Sequence, residues 1–292
     1  MKIKELKLND KKYPDLLAEI KGRPEVLYYL GNLEALENPM ISIVGTRRAS
    51  EYGIEATRKI ANELVQSGIT IVSGMALGID TSAHRGALDA GGKTIAVLGS
   101  SMENNFIYPQ QNISLARDIL KSDGLIFSEY REKHLARKYD FINRNRIVSG
   151  LSLGVLIVDA PIKSGAIITA KLAKQQGKYV FALPGSIFSA NSAGPNYLIK
   201  KQKAHLVENA RDILEILKLN DLFSPNNKKK SKNLLSQVEQ VIVEILKINN
   251  YSLDELTEQS KIPVNELMII ITDLELKGII KNISGVYVIN NS

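Results

Sequence analysis

Short apolar runs that alternate with helical segments constrain the fold of this chain more than any other feature. Each run is rich in β-branched or aromatic residues and has the length of a buried strand, and segments such as 51–66, 81–90 and 166–176 between them have helical patterning. The predicted strands are Ile41–Val44, Ile69–Val72, Thr94–Leu98, Leu125–Phe127, Val155–Val158 and Tyr179–Ala182. Alternation of this kind predicts βαβ units, and we therefore expect an α/β fold with a parallel sheet.

Glycines and other small residues follow nearly every predicted strand. The loops contain Gly45-Thr46, Ser73-Gly74, Gly99-Ser100, Ser128-Glu129, Ser164-Gly165 and Pro184-Gly185. Parallel strands end at one edge of the sheet, where glycine lets a ligand approach backbone N–H groups. A single loop of this type is explained by the turn alone, but five or six at one edge favour a crevice that binds phosphate or another anion.

Basic residues near these loops are candidates for phosphate contact, because guanidinium groups bind phosphate oxygens in pairs and also stack on bases. The candidates are Arg47, Arg48, Arg144, Arg146, Lys163 and Lys171. For Arg144 and Arg146 an ion pair with an internal carboxylate such as Glu129 or Asp159 is an equally open interpretation. Phe106 and Tyr108, in a polar loop, are candidates for base stacking.

Asp80 and His84 lie four residues apart near the start of a predicted helix, an arrangement that suits an acid–base pair. The interpretation that we favour is structural: Asp80 caps the helix through its side chain, and His84 packs beneath the loop with its polar atoms satisfied. The loop at Ser164-Gly165 lacks the Gly-Lys-Ser/Thr ending of a Walker P-loop, which argues against ordinary ATPase chemistry.

Composition excludes several classes of protein. The chain of 292 residues has no cysteine, and its three histidines lie in unrelated segments, so we expect no disulfide, no metal site and no cofactor. The net charge of +7 is compatible with nucleic-acid binding and equally with ordinary solubility. No apolar run reaches the roughly 18 residues of a membrane span, and no secretory h-region follows the charged amino end. We expect a cytoplasmic protein without membrane attachment.

A polar, lysine-rich stretch at residues 224–236 predicts a linker, with four lysines and no acid within residues 228–236. The segment after it has helical spacing from Ser236 to Ile248, a capping box at Ser252, a third helix after Pro263 that Gly278 can end, and two strand-like runs around Ser284. Three helices and a hairpin predict a winged helix. Residues 237–292 carry four basic and eight acidic side chains, so we expect a protein-contact module rather than a DNA reader.

Taken in order, eight motifs resemble the DNA-processing protein DprA (Smf) family over roughly residues 13–215. They are Gly45-Thr46-Arg47 with Ser50 and Tyr52-Gly53, Ser73-Gly74 through Ala83-His84, Thr94 to Gly99, Tyr108-Pro109, Ser128-Glu129, Asn143-Arg144-Asn145-Arg146, Ser164-Gly165 with Thr169-Ala170, and Pro184-Gly185. Each motif is weak by itself, but the ordered set is specific.

The resemblance implies an extended Rossmann-like domain that binds single-stranded DNA without strong sequence preference and has no enzymatic activity. It further implies a homodimer that protects incoming strands during natural transformation and helps to load the RecA recombinase past single-strand-binding protein. On this basis we expect a short helical lead-in at residues 1–38, a DNA-binding domain at 39–223, a basic linker at 224–236 and a winged-helix domain at 237–292.

Two other functions stay open from the residues. Glycine-rich Rossmann crevices also serve nucleotide phosphoribohydrolases, and Asp80, His84 and Glu129 are the side chains that such an enzyme would use. The segment Pro184-Gly185-Ser186-Ile187-Phe188 lacks the double glycine and following Glu of that hydrolase family. A sensor for a small nucleotide signal is the third possibility.

Overall fold

A computed structural model describes residues 2–103, 105–219, 237–276, 279–283 and 285–290. The chain divides into two compact units, residues 1–227 and 228–292, and each is described by itself. The basic linker predicted at residues 224–236 lies outside the described residues, as do Gly278 and Ser284.

A single nine-stranded sheet forms the centre of the first unit. Its strands are β1 (Lys4–Lys7), β2 (Val26–Gly31), β3 (Met40–Val44), β4 (Thr70–Ser73), β5 (Thr94–Leu98), β6 (Leu125–Ser128), β7 (Gly154–Ile157), β8 (Tyr179–Ala182) and β9 (His205–Leu206). Their spatial order is β1-β2-β6-β5-β4-β3-β7-β8-β9. The seven strands from β3 to β9 pair in parallel, which confirms the predicted α/β class with a Rossmann-like sheet.

Helices cover both faces of this sheet. They are α1 (Asp15–Ala18), α2 (Glu51–Gln66), α3 (Ile79–Asp89), α4 (Ile113–Lys121), α5 (Lys138–Gly150), α6 (Gly165–Gln175), α7 (Ala193–Lys200) and α8 (Ala210–Ile216). Val155 and Ile157 of β7 pack with α5 and α6, whereas Leu156 packs with α2 and α3 on the other face. A strand buried on both faces is a continuous apolar run, because successive side chains point to opposite faces.

The order of the strands reverses between β3 and β7. From β3 the chain proceeds through β4 and β5 to β6 on one side, and then returns to place β7, β8 and β9 on the other side of β3. Connections that leave two neighbouring strands in opposite directions open a crevice at their carboxyl ends, which is where open α/β sheets bind ligands. The topology therefore places a binding crevice between the ends of β3 and β7.

The segment expected to be a helical lead-in, residues 1–38, contains two strands as well as short helical turns. β1 and β2 pair with each other in antiparallel register, and β2 pairs antiparallel with β6, so the segment extends the sheet. Among residues 2–38, the four-residue α1 and a 3-10 turn at Leu33–Leu36 are helical. This pairing is between residues about a hundred positions apart, and local patterning therefore does not reveal it.

Within its described residues, the second unit has three helices and a three-stranded sheet. Its elements are α9 (Gln237–Ile248), β10 (Tyr251–Ser252), α10 (Leu253–Ser260), α11 (Val264–Leu276), β11 (Ile280–Ile283) and β12 (Val286–Ile289). The strands lie in the order β10-β12-β11, and Ser252 forms the predicted capping box with Glu255. Its separate core contains Ile242, Leu256, Leu267 and Ile271. The helices and hairpin agree with the predicted winged helix.

No helix in the part of the chain that the structure describes is both long enough and apolar enough to cross a membrane.

Candidate functional site

A crevice of about 880 Å³ opens where the topology predicts one, at the carboxyl ends of β3 and β7 and beside the first turns of α5 and α6. Many predicted site residues line it. They are Gly45, Thr46, Arg47, Arg48, Gly74, Asp80, Arg144, Lys163, Ser164 and Gly165. Ser73, His84, Gly99, Glu129, Arg146, Lys171 and Gly185 are not among the lining residues. The crevice therefore brings together the loops after β3 and β7, with a smaller part from the loop after β4.

Arg47 is the exposed cation at the centre of this site. It follows β3, and its guanidinium carbon lies 4.9 Å from the centre of the Phe141 ring and 5.9 Å from that of Tyr108. The two rings are 5.4 Å apart, and the Tyr108 side chain is 46% exposed. Rings in these positions hold the flexible arginine by cation–π attraction while leaving its N–H groups available to a ligand.

Lys138 is a lining residue that the sequence analysis missed. It is the first residue of α5 and is exposed. Phe141 and Asn145, at the third and seventh positions after it, also line the crevice. Residues with this spacing share one helix face. Had the start of α5 been located, the helical spacing from Phe141 would have identified Lys138.

The amino end of α6 supplies an uncharged anion site. Ser164 precedes the helix, and its buried Oγ has no hydrogen-bond partner among the described residues. A Cβ at Gly165 would meet no atom within 4 Å, so the backbone is open to a ligand at this point. Free N–H groups and the positive end of the dipole favour an anion there. The exposed Lys163 adds a full positive charge beside them.

Arg144 is a lining residue of a different kind, because its side chain is buried. Its guanidinium donates to the carbonyl oxygens of Gly74 and Val97, and the residue is 6% exposed. Burial lowers its pKa to about 10, an effect that the negative charge of Asp80 opposes and the positive charge of Arg47 increases. The structure thus places Arg144 in the wall of the crevice with an internal role of the kind that the sequence left open for it, and its contact with DNA stays a prediction.

Asp80 is the partner that compensates this buried charge. Its Oδ2 accepts hydrogen bonds from the N–H groups of Gly74, at 3.1 Å, and Ala76, at 3.3 Å. Burial raises the pKa of the carboxyl, while Arg144 and these N–H groups act in the opposite direction. Asp80 therefore stabilises the loop after β4. It does not cap α3 through its side chain as expected, since α3 has Gly78 at its N-cap.

His84 has the packed position that the sequence analysis favoured, although one of its ring atoms is unsatisfied. Thr94 donates its hydroxyl proton to the carbonyl of Ile71, so its Oγ1 accepts from His84 Nδ1–H at 2.8 Å. His84 Nε2 has no partner among the described residues. Burial, followed by the charges of Arg144 and Arg85, lowers the pKa of His84 to about 3. The imidazole is therefore neutral and is held away from the crevice.

Arg146 and Glu129 form an ion pair with 2.6 Å between Arg146 Nη2 and Glu129 Oε1. This is the internal pairing that the sequence analysis left open for Arg146. It links α5 to the end of β6. Lys171 is exposed on α6 but is not part of the crevice lining.

Close packing explains several of the glycines. The position of a Cβ at Gly45 is occupied by Ile79 and the carbonyl oxygen of Asp159, and at Gly185 by Ser192. At Gly74 a Cβ would lie 2.6 Å from Arg144 Cζ and 2.7 Å from Asp80 Oδ2. Protein atoms therefore fill these spaces, and among the predicted approach loops Gly165 is the position that stays open.

The other two loop residues are likewise engaged within the protein. Ser73 is fully buried and donates to the carbonyl of Ile43 at 2.6 Å. A Cβ at Gly99 would lie 3.2 Å from the Phe141 ring, so this glycine accommodates the aromatic side chain. Within the described residues no cluster of three or more His, Asp or Glu side chains has the geometry of a metal site.

Comparison with known proteins agrees with this architecture. The chain is 37% identical over 286 residues to protein Smf of Escherichia coli, an alignment that covers 94% of this chain and 74% of that protein. It is 49% identical over 182 residues to protein Smf of Synechocystis sp., where it covers 61% of this chain and 45% of the relative.

Two solved structures share the fold of the first unit. DNA processing protein A from Streptococcus pneumoniae matches with a TM-score of 0.69 at 40% identity, covering 73% of this chain and 74% of that one. The protein of the same name from Helicobacter pylori, whose structure is described with its single-stranded DNA binding mode, matches with a TM-score of 0.67 at 35% identity and covers 75% and 96%.

Family profiles match both units. The profile described as DprA winged helix domain covers residues 226–285, and the profile described as DNA recombination-mediator protein A covers residues 4–218, which include the whole crevice. With most of its length matched, the chain belongs to the DNA recombination-mediator protein A (DprA, Smf) family.

Proposed function

We propose that this protein is a recombination mediator that binds single-stranded DNA in the crevice between β3 and β7. One observation carries the proposal: four exposed cations line the same crevice as an open anion position, and the acidic side chain in the lining, that of Asp80, is buried beside Arg144. The cations are Arg47, Arg48, Lys138 and Lys163. A relative's structure described with single-stranded DNA supports the same ligand.

The amino end of α6 is the proposed phosphate position. The unpartnered Ser164 Oγ can donate to a phosphate oxygen, and the open backbone at Gly165 lets the phosphate approach the first N–H groups of the helix. Lys163 and Arg48 then neutralise the phosphates on either side.

Aromatic rings beside the cations favour a single strand over a duplex. Tyr108 and Phe141 lie next to Arg47, and unpaired bases can stack on such rings without regard to sequence. A duplex has its bases stacked internally and would offer only its phosphates to the crevice. We therefore expect binding that is sensitive to salt and insensitive to sequence.

The first test is the affinity for labelled single-stranded and duplex oligonucleotides, measured by fluorescence anisotropy at several salt concentrations. We expect tighter binding of the single strand. Arg47→Ala should weaken that binding roughly 10-fold to 100-fold, the loss of a charge-assisted hydrogen bond worth about 1.5–3 kcal/mol. The slope of log K against log salt should fall by about 0.7, the value for one phosphate contact on a single strand.

Lys59→Ala is the matched control, because Lys59 is exposed on α2 but does not line the crevice. It removes one positive charge and should leave the affinity nearly unchanged. Equal losses in the two variants would mean that binding depends on net charge, and a wild-type protein that binds no single strand in low salt would contradict the proposal.

Partners other than DNA belong to the same proposal. We propose a homodimer that loads RecA onto the bound strand past single-strand-binding protein, as the family resemblance implies. The winged-helix unit is proposed as the protein-contact module. Its third helix exposes Met268 at 54% and Ile269 at 72%, next to the acidic Glu266. An acidic and apolar surface repels phosphates and suits a protein partner.

The side chains required by the phosphoribohydrolase alternative are not assembled. Asp80 is buried beside Arg144, Glu129 is paired with Arg146, and His84 lies outside the crevice lining. These contacts favour the binding function over the hydrolase and give no support to a separate site for a nucleotide signal. A ribose phosphate released from a nucleoside monophosphate would reverse this preference.

A further inference from the structure

The loop after β8, residues 184–192, exposes two consecutive large apolar side chains. Ile187 is 85% exposed and Phe188 is 94% exposed. The loop contains no charged residue. Exposed aromatic residues are common at binding surfaces and need an explanation when they are this open. Neither side chain lines the crevice or belongs to a hydrophobic core.

The loop is held firmly in place, so the exposure of Phe188 is a fixed feature. Gly185 N–H donates to Asn196 Oδ1 at 3.2 Å, and the Asn196 amide donates back to the Gly185 carbonyl at 2.9 Å. The Tyr52 hydroxyl donates to the Pro184 carbonyl at 2.7 Å. These bonds tie the start of the loop to α7 and α2, and the ring is presented on a constrained backbone.

The far end of the loop is bonded directly to the wall of the crevice. The side-chain amide of Asn191 donates to the carbonyl of Arg48 at 2.9 Å, and the Asn191 carbonyl accepts from the N–H of Ala160, just beyond β7, at 2.6 Å. Arg48 lines the crevice. The apolar loop is therefore joined to the wall of the proposed DNA site at Arg48.

We propose that Phe188, with Ile187 beside it, is a second base-stacking position for the single strand whose phosphates lie in the crevice. This inference rests on the proposed function. A strand that passes Arg48 turns its bases outward from the cationic floor, and an exposed ring next to that path offers them a stacking surface. The neutral loop adds no charge that would repel the backbone.

Base stacking can be separated from phosphate binding by its salt dependence. Phe188→Ala should weaken binding of a single strand roughly 5-fold to 100-fold, the range for loss of one stacked base. The salt slope should not change, because no ion pair is removed. An abasic strand of the same length should bind wild type and Phe188→Ala equally. Phe188→Leu keeps an apolar side chain without a ring and should behave as Phe188→Ala.

A direct probe is available because the chain contains no tryptophan. Phe188→Trp should bind as tightly as wild type, and its fluorescence should be quenched when a base stacks on the indole. Tyr179→Trp is the control: Tyr179 is 44% exposed at the amino end of β8, at the other end of the strand from the loop. Its fluorescence should not respond to DNA.

Each outcome decides the inference. Wild-type affinity in Phe188→Ala, with no quenching in Phe188→Trp, would overturn it and leave the proposed function intact. The inference would also be overturned if, in the absence of DNA, the fluorescence of Phe188→Trp were quenched as the protein concentration rises. A second copy of the protein would then cover the loop. If the wild-type protein did not bind a single strand, both proposals would fail. Weaker single-strand binding by Phe188→Ala, with a salt slope equal to that of the wild type, would support the inference.

Discussion

Arg144 shows why an arginine beside a binding crevice need not touch the ligand. It lies two residues from Arg146 and in the same helix as Lys138, yet its guanidinium is used by two backbone carbonyls and the Asp80 charge. Through the Gly74 carbonyl this guanidinium holds the loop after β4, so we expect Arg144 to affect a ligand only indirectly. Burial, which depends on the tertiary structure, distinguishes an arginine that supports the wall of the crevice from one that is free to contact a ligand.

We predict that Arg144→Met destabilises the protein by roughly 3–5 kcal/mol, because it leaves the Asp80 carboxylate buried without its partner. Urea unfolding measures this change. Arg47→Ala should change stability by less than about 0.5 kcal/mol, since Arg47 is exposed. The opposite result would be an Arg144→Met protein with wild-type stability and a loss of single-strand affinity equal to that of Arg47→Ala. That result would place Arg144 in contact with DNA.

Among the elements, α2 and α6 show two different uses of glycine near a helix start. Ser50 caps α2 by accepting from Gly53 N–H at 3.0 Å, and it donates to Asp159 Oδ2 at 2.7 Å. A Cβ at Gly53 would collide with that buried carboxylate. The glycine thus lets α2 dock against the end of β7, which fixes the wall that carries Arg48. At the start of α6, Gly165 faces open space instead.

These two glycines should respond in opposite ways to alanine. Gly53→Ala gains about 1 kcal/mol of helix propensity but should still destabilise the protein by roughly 1–3 kcal/mol, because Asp159 must move and lose its bonds to Ser50. Gly165→Ala should leave stability unchanged or slightly higher and weaken single-strand binding, because its methyl group occupies the proposed phosphate position. Thermal unfolding and anisotropy on both variants make the comparison.

A Gly165→Ala variant with undiminished affinity would remove the amino end of α6 from the DNA site. Unchanged stability in Gly53→Ala would show that Asp159 is not needed to hold α2.

For the whole molecule, the two units have separate hydrophobic cores and different charge balances. Residues 1–227 carry 30 basic and 23 acidic side chains, whereas residues 228–292 carry eight of each. Residues 237–292 carry eight acidic and four basic side chains, whereas the excess of positive charge lies in residues 1–236. Every residue that lines the crevice belongs to the first unit. The division of charge therefore matches the proposed division between DNA binding and protein contact.

A fragment of residues 1–236 keeps the four linker lysines. We expect it to unfold cooperatively. Its affinity for single-stranded DNA should be within about 3-fold of that of the full chain, because every proposed phosphate contact is retained. It should lose capture of the protein partner. Circular dichroism and anisotropy test the first two expectations, and co-purification with RecA tests the third. A folded fragment that kept its partner but lost DNA would reverse the proposed roles of the units.

Local patterning was sufficient for six of the nine strands of the sheet, β3 to β8, and for much of the crevice. The runs at Ile41–Val44 and Val155–Val158 are apolar apart from Ser42, because strands buried on both faces have no solvent-facing side. The glycines and basic residues that follow them, such as Gly45, Arg47 and Lys163, marked the binding edge. Helix spacing and the Ser252 capping box likewise revealed the second unit. These signals are short in range, so each can be recognised from neighbouring residues.

Contacts between distant parts of the chain supplied the rest. The β2–β6 pairing within the expected helical lead-in and the burial of Arg144 against Val97 both join residues far apart in sequence. The bond from Asn191 to Arg48, which ties the loop that carries Phe188 to the crevice wall, does the same. The residue types were plain in the sequence, but which of them are buried, paired or left open depends on where the sheet places them, because burial and pairing are properties of the packed molecule.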